Sequence, residues 1–333
     1  MKLRGEMFSY PMPYNEINIV KNVMQIHSHD GIGKGFCYAY RLKGDNEDTK
    51  FVLCEKDFKI ISRFEEMDVK VKDNVIHIKT DKVKMKLASL VDYPTYTPDF
   101  TAMWPLKVNY ADIYRARNFT CNDDVRIQGH GVTVHKDAII ATDGAKVFEI
   151  SGIDTEAPFE AINIPKETFK YVPAMDGIKI EANEKGAKFI FPNYAGFYYT
   201  NLIAQVVPKG IQNKFANVPI TIEFKVVKNE LISHLKQIKE IDAEGKVDFV
   251  FNGKEEKIIL RGEREEGDIE IELNAQNVQI KEDITVVMDI SYLMIVLNAA
   301  LKDEIMMRTG TKTFMTVEDD AFIALLPTVR TIK

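Results

Sequence analysis

Four times along this chain the same order of patterns returns: a strand, a short amphipathic helix, then a meander of strands. A repeat of this kind constrains the fold more than any single motif does. One such unit cannot bury its apolar face alone, so copies must pack on one another. The first copy opens at Phe51-Val52-Leu53, predicts a helix over residues 55–67, and continues with strands at 69–71, 75–79 and 83–90 before Asp92-Tyr93-Pro94. The second opens at Ala161-Ile162-Asn163-Ile164, with Pro165 as the first residue of a helix reaching about Val172. Strands at 178–181, 187–191 and 196–207 follow, up to Pro208. The third has a strand at 221–227, a helix at 229–241 and strands at 247–251, 257–261 and 268–273. The fourth has a strand at 285–288, a helix at 291–301 and strands at 304–308, 312–317 and 321–326, ending at Pro327.

The strands alternate apolar and polar residues, as in Val75-Ile76-His77-Ile78-Lys79. That is the period of a sheet with one buried face. Lys72-Asp73-Asn74, Asn252-Gly253-Lys254 and Thr309-Gly310-Thr311 supply hairpin turns. The third helix carries a stripe of Leu231, Leu235 and Ile238, with Lys228, Lys236 and Lys239 elsewhere on its surface. Weaker copies fill residues 1–50, with strands at 23–27 and 36–42, and residues 105–150, with a helix at 110–117 and strands at 131–134 and 138–142. Six units taken in twos predict three similar α+β domains: residues 1–104, 105–217 and 218–333.

Composition agrees. A chain of 333 residues exceeds one ordinary core, and 45% hydrophobic with 28% charged residues is a soluble globular balance. No apolar leader follows Met1-Lys2-Leu3-Arg4, and the most apolar stretch, 292–301, is about half a membrane span. Cys37, Cys54 and Cys121 are scattered and odd in number, which fits a reducing cytoplasm. Asn118-Phe119-Thr120 is then a chance glycosylation match. The net charge of −6 disfavours nucleic-acid binding only if charge is spread evenly. An acidic protein can still be basic on one face.

Catalytic chemistry finds little support. His27-x-His29-Asp30 offers metal-ligand types, but no cysteine or second histidine cluster completes a site, so no metal is expected. Gly31-Ile32-Gly33-Lys34-Gly35 lacks the Lys-Ser/Thr step and following helix of a phosphate loop and reads as a hairpin turn. No Ser-His-Asp or Cys-His set stands out by spacing, and no cofactor is expected.

Several runs, in order, resemble a known family. Ala141-Thr142-Asp143-Gly144-Ala145-Lys146-Val147 resembles the Ala-Thr-Asp-Gly-His-Arg-Leu signature in the middle domain of bacterial β sliding clamps, the DNA polymerase III β subunits. Asp124-Val125-Arg126 and Gly131-Val132 sit where that family has an Asp-Val-Arg segment and a glycine-led strand. Met288-Asp289-Ile290-Ser291-Tyr292-Leu293 resembles the Phe-Asn-x-x-Tyr-Leu that opens its last helix, and Ala324-Leu325-Leu326-Pro327 its C-terminal Val-Met-Pro-Met-Arg-Leu. The resemblance covers roughly residues 20–333. Departures mark a divergent form, of either host or phage origin. Pro11 and Pro13 disfavour the first helix of the family, Ala145-Lys146-Val147 replaces His-Arg-Leu, and Arg330-Thr331-Ile332-Lys333 runs past the usual terminus.

The resemblance implies a non-catalytic processivity subunit: a homodimeric, head-to-tail ring with sheets outside and helices lining a hole for duplex DNA of any sequence. DNA polymerase and clamp-loader subunits would insert short peptides into a cleft walled by Thr142, Gly144, Lys146, Val147, Pro208, Leu326 and Pro327. Gly129 or Ile127 takes the place of a family pocket leucine, and Lys146 lacks the planar fork of arginine. Lys56, Lys59, Arg63, Lys107, Arg115, Arg117, Arg126, Lys166, Lys170, Lys228, Lys236 and Lys239 would face DNA, diluted by Glu65, Glu66 and Glu240. Gln128 would accompany Arg126 near the ring face. Met85 and Leu87 of one subunit would meet Ile238 and Ile241 of the next. Blander readings stand beside these: solvated helix faces for the cations, core for Val147, Leu326 and the interface residues, a strand end for Pro327, and a clamp-like β-rich scaffold that forms no ring.

Overall fold

The computed structural model describes residues 12–42, 47–64, 67–121, 126–192, 196–210, 219–242, 244–262, 267–311 and 314–329. Among these residues the strands form four antiparallel sheets, and none closes on itself. The first runs β4 (Thr49–Cys54), β1 (Tyr14–Val20), β2 (Val23–His29), β3 (Lys34–Arg41), β15 (Gly196–Asn201), β14 (Gly186–Ile190), β13 (Lys179–Ala182) and β8 (Trp104–Leu106). The second runs β12 (Ala161–Pro165), β9 (Gly131–His135), β10 (Ala138–Thr142), β11 (Val147–Ser151), β24 (Ile323–Pro327), β23 (Phe314–Glu318), β22 (Glu304–Thr311), β16 (Ile222–Val227) and β20 (Ala275–Ile280). Two smaller sheets are β19 (Ile269–Glu272), β18 (Lys257–Gly262), β17 (Lys246–Asn252), β21 (Ile284–Asp289), and β5 (Asp68–Lys72), β6 (Val75–Lys79), β7 (Lys84–Ala88). The helices are few: α1 (Glu55–Ile61), α2 (Tyr110–Ala116), α3 (Thr168–Tyr171), α4 (Lys228–Ile241) and α5 (Ile290–Ala299). The α+β class read from the repeat is the observed one.

Two compact units divide the chain. One comprises Met1–Ala111, Glu156–Phe159 and Glu167–Leu202; the other comprises Asp112–Thr155, Glu160–Lys166 and Ile203–Lys333. The first holds the eight-stranded and three-stranded sheets, and the second holds the other two. The units therefore follow the sheets. The boundary expected at residue 104 meets the first residue of β8, and the one expected at 217 lies outside the described residues.

The repeat is built by exchange. The lead strand before each helix joins the meander of its neighbouring copy: β16 pairs with β22, β21 with β17, β12 with β9, β8 with β13, and β4 with β1. A single copy would leave its meander edge unpaired. Between copies, β3 lies on β15 with Cys37 opposite Phe197, and β11 lies on β24 with Val147 opposite Leu325. The α4 stripe lands as its spacing requires, with Leu231, Leu235 and Ile238 fully buried, each contributing about 2 kcal/mol of apolar burial.

Several element boundaries differ from expectation, for local reasons. Pro165 ends β12 opposite Gly131, and Lys166 N–H donates to His130 O, so α3 shrinks to one turn starting at Thr168. Helix α1 stops at Ile61 because Arg63 and Phe64 tighten the chain with bonds to the carbonyls of Ile60 and Ile61; residues 65 and 66 lie outside the described residues. After Asn201, Leu202 N–H turns back to Lys185 O and ends β15. Strand β20, absent from the sequence reading, carries Gln276, Asn277 and Gln279; pairing with β16 makes it a strand despite that composition. Strand β1 was also missed. It starts directly after Pro13, and its buried Asn15 donates to the carbonyls of Met12 and Leu53. Pro11 lies outside the described residues, and no residue from 12 to 42 is helical.

Candidate partner cleft and exposed edges

The Thr-Asp-Gly run is a side-chain-stapled turn between β10 and β11. Asp143 Oδ1 accepts from the backbone N–H of Ala145 (2.9 Å) and Lys146 (2.8 Å), and Lys146 Nζ lies 2.6 Å from Asp143 Oδ2. Thr142 Oγ1 donates to Lys146 O at 2.7 Å and accepts from Gly144 N–H at 2.9 Å. Gly144 has φ +89°, which a side chain would strain. Burial pushes the Asp143 carboxyl up, but the Lys146 ammonium and the two backbone N–H groups outweigh it and hold the group below its ordinary value. The Lys146 ammonium also stands 4.8 Å from the centre of the Tyr292 ring, a cation–π contact. Tyr292 is placed by the start of α5, where Asp289 accepts from the N–H groups of Ser291 and Tyr292.

Val147 follows and packs in a small apolar cluster with Ala138, Ile140, Val207, Phe314 and Leu325. Val207 is pinned on both sides. Its N–H donates to Thr133 Oγ1 at 3.0 Å, and its carbonyl accepts from His135 Nε2 at 2.8 Å. Pro208 is thereby set at the rim, exposed, beside Val206, which is 38% exposed. Leu325 is the tail residue on the side of Val147. Leu326 pairs with Met315 on β23 and is fully buried, so its place is the core, and Pro327 pairs with Phe314 and is half-buried. Thr142, Lys146, Val147, Pro208 and the tail thus converge within one compact unit, open to solvent at Gly144, Ala145 and Pro208. Sequence reasoning missed Tyr292, Val207 and Leu325. Of the two pocket-leucine candidates, Ile127 is 46% exposed, whereas Gly129 is buried with Cys121 Sγ 2.7 Å from where a Cβ would stand.

The cations separate into two groups. Lys56, Lys59 and Arg63 on and just after α1, Lys170 on α3, and Lys236 and Lys239 on α4 are exposed; Lys59 pairs with Glu55 one turn earlier. Arg115, Arg117 and Lys228 hold the fold instead. Arg115 is 13% exposed, pairs with Asp112 at 2.6 Å and donates to Ala299 O at 2.9 Å. Lys228 donates to Ala300 O at 3.0 Å, so both bring positive charge to the C-terminus of α5. Arg117 stacks on Tyr114 and donates to its carbonyl. Lys107 pairs with Glu156. Lys166 is half-buried, and Gln128 contributes its carbonyl to Asn163. Arg126 donates to Asp143 O at 2.6 Å, which puts it beside the stapled turn; Asp124 and Val125 lie outside the described residues.

Among the edge strands of the four open sheets, two carry a complementary pattern, β7 and β19. Strand β7 reads Lys84-Met85-Lys86-Leu87, with the lysines exposed and Met85 and Leu87 half-buried. Strand β19 reads Ile269-Glu270-Ile271-Glu272, with the glutamates exposed and the isoleucines half-buried. Ile238 of α4 is core, 2.6 Å from where a Gly262 Cβ would stand, alongside Ile269; Ile241 at the end of α4 is half-buried.

No family model matches the chain, and no curated protein matches it in sequence. Solved structures do match. The DNA polymerase sliding clamp of Bacillus subtilis superposes with a TM-score of 0.82 at 15% identity, covering 96% of this chain and 92% of that one. The DNA polymerase III β chain of Streptococcus pneumoniae gives 0.81 at 15%, with 96% and 92% covered. The Pseudomonas aeruginosa DNA polymerase III β subunit, solved bound to griselimycin, gives 0.80 at 13%, with 98% and 94% covered. No helix among the described residues is long and apolar enough to cross a membrane. Nearly complete coverage at so low an identity means that the pattern of strands and helices is kept while most side chains differ. The chain has the sliding-clamp fold of the bacterial DNA polymerase III β subunits.

Proposed function

We propose that this chain is a non-catalytic DNA sliding clamp of the cytoplasm. Two copies close head to tail around duplex DNA and tether a polymerase, a clamp loader and other partners through the cleft beside the stapled turn. Three domains, residues 1–104, 105–217 and 218–333, each made of two copies of the repeat, would give six domains per ring. The exchange of lead strands within 105–217 and within 218–333 supports that division.

One observation carries the reading: two of the open edges, β7 and β19, are chemically complementary. Antiparallel pairing of β7 with β19 sets Lys84 and Lys86 against Glu270 and Glu272 on one face, and Met85 and Leu87 against Ile269 and Ile271 on the other. Within the chain Lys84 lies opposite Lys79, a like-charge neighbour that an acidic strand would offset. Glu270 and Glu272 already face Arg261 and Lys257 on β18, so a new lysine strand would extend alternating rows of charge. Pairing β7 with β7 would align lysines, which selects the head-to-tail contact that can close a ring. Ile238 supports β19 from beneath, and Ile241 lies at the end of the same helix. The exposed cations Lys56, Lys59, Arg63, Lys170, Lys236 and Lys239 supply the modest positive charge a sliding contact needs, without base readout.

The test joins mass to topology. Sedimentation should give a dimer. After loading, the protein should stay on nicked circular DNA and be lost when that DNA is linearised. A monomer at every concentration, retained equally on both DNA forms, would mean a clamp-like scaffold and no ring.

A further inference from the structure

Glu16 of β1 stands directly opposite His27 of β2, and His29 follows two residues on, on the same face of the eight-stranded sheet. Glu16 Oε1 accepts from His29 Nε2 at 3.0 Å and lies 3.9 Å from His27 Nδ1. The imidazole centres are 4.7 Å apart, and one ligand-type atom from each residue lies within 4.8 Å of the others. His29 is fully buried, and the side chains of His27 and Glu16 are 24% and 18% exposed. We propose that Glu16, His27 and His29 form a binding site for a divalent first-row transition-metal ion such as zinc.

Two imidazoles and one carboxylate are a familiar ligand set for such ions, with a further position left open. Metal–ligand bonds of about 2.0–2.2 Å place neighbouring ligand atoms roughly 3.3–3.5 Å apart in a tetrahedral site. The Glu16–His29 pair is near that spacing, and His27 has only to close on it. A cavity of about 360 Å³ opens beside the cluster, lined in part by Glu16, His27, Cys37 and Lys50. It offers the ion a way in and room for a water in the open position. Tyr199 hydroxyl lies 2.8 Å from His27 Nε2. A proton on Nε2 donated to that oxygen leaves the Nδ1 lone pair free to ligate and fixes the ring, the usual role of an outer partner.

Two contacts must yield when the ion enters. Gly31 N–H donates to His29 Nδ1 at 3.1 Å, which puts the ring proton on Nε2, toward Glu16. The ion takes the place of that proton. Keeping the ring neutral then requires a proton on Nδ1, and the Gly31 bond is given up. Lys50 Nζ lies 3.7 Å from Glu16 Oε2, but its side chain is 62% exposed and can swing to solvent.

The experiment uses the untagged full chain, stripped with a chelator and titrated with Co²⁺. Binding is followed by visible d–d absorption, with Zn²⁺ competition measured by calorimetry. One ion per chain, displaced by Zn²⁺, is expected. Glu16→Gln and His27→Gln should each weaken binding at least tenfold, and Tyr199→Phe by about tenfold. His77→Gln, on another sheet, should change nothing. His29 is fully buried, so its replacement would disturb the fold as well as the site; the two partly exposed ligands decide, with circular dichroism confirming that each variant is folded. A stoichiometry far below one, or unchanged affinity in folded Glu16→Gln and His27→Gln, overturns the site. No arm involves DNA or dimer formation, so the outcome is independent of the clamp reading.

Discussion

Lys146 joins the stapled turn to α5. Its side chain is 7% exposed, and its ammonium is bonded to Asp143 and set over the Tyr292 ring. Lys146→Ala should cost about 1–3 kcal/mol, because a partly buried carboxylate loses its cation; urea unfolding of the variant measures this. His135 makes a second, pH-dependent prediction. Burial lowers its pKa below the ordinary value of 6.5. The folded protein therefore refuses a proton that the unfolded chain accepts, and stability should fall as pH drops below about 6.5. Comparing urea midpoints at about pH 7.5 and about pH 5.5 should show that loss, reduced in His135→Gln. At this scale the sequence was readable where bonds are local. The bonds that Thr142 and Asp143 side chains make within the turn all span four residues or fewer. It was unreadable where both faces of a strand are buried. Ala324, Leu325 and Leu326 are all buried, so alternation could not tell which leucine meets Val147. Glu16 was hidden for another reason, since only the pairing of β1 with β2 brings it to the histidines.

At the scale of elements, the complementary edges predict their own repair. Reversing Lys84 and Lys86 to glutamate should dissociate the proposed dimer, raising its Kd tenfold or more, since like charges then face each other across the strands. Reversing Glu270 and Glu272 to lysine in the same chain should restore it, as read by sedimentation equilibrium. Restoration failing while both variants stay folded would place the contact elsewhere. The amphipathic stripe of α4 and the alternation of β6 were plain in the sequence because one face of each is buried and the other wet. Strand β20 was not, because polar residues sit on it and pairing with β16 decides its conformation. The one-turn α3 was misjudged because Pro165 suits a strand end as well as a helix start.

For the whole molecule, the exposed helix lysines make a quantitative claim. Replacing Lys236 and Lys239 by glutamine should lower the slope of log affinity against log salt for duplex DNA by about 2, near one unit per lost phosphate contact. Fluorescence anisotropy on a short duplex measures it. Replacing Arg115 would instead loosen the fold, since its charge is already engaged at Asp112 and Ala299. The sixfold repeat was legible because hydrophobic period survives when identities drift. The exchange of lead strands was not, since nothing in one copy announces which meander its first strand will join.

That exchange, with the pairing of β11 on β24, also sets the order of events during synthesis. Contacts between distant segments are slow to form, and a strand waiting for its partner is prone to mispair. Strand β11 leaves the ribosome long before β24 does, and must wait for almost the entire remainder of the chain. A nascent or truncated chain ending before β24 lacks Leu325, and with it one wall beside Val147. On the proposed reading, partner binding in the cleft would have to wait until β24 has been made and has paired with β11.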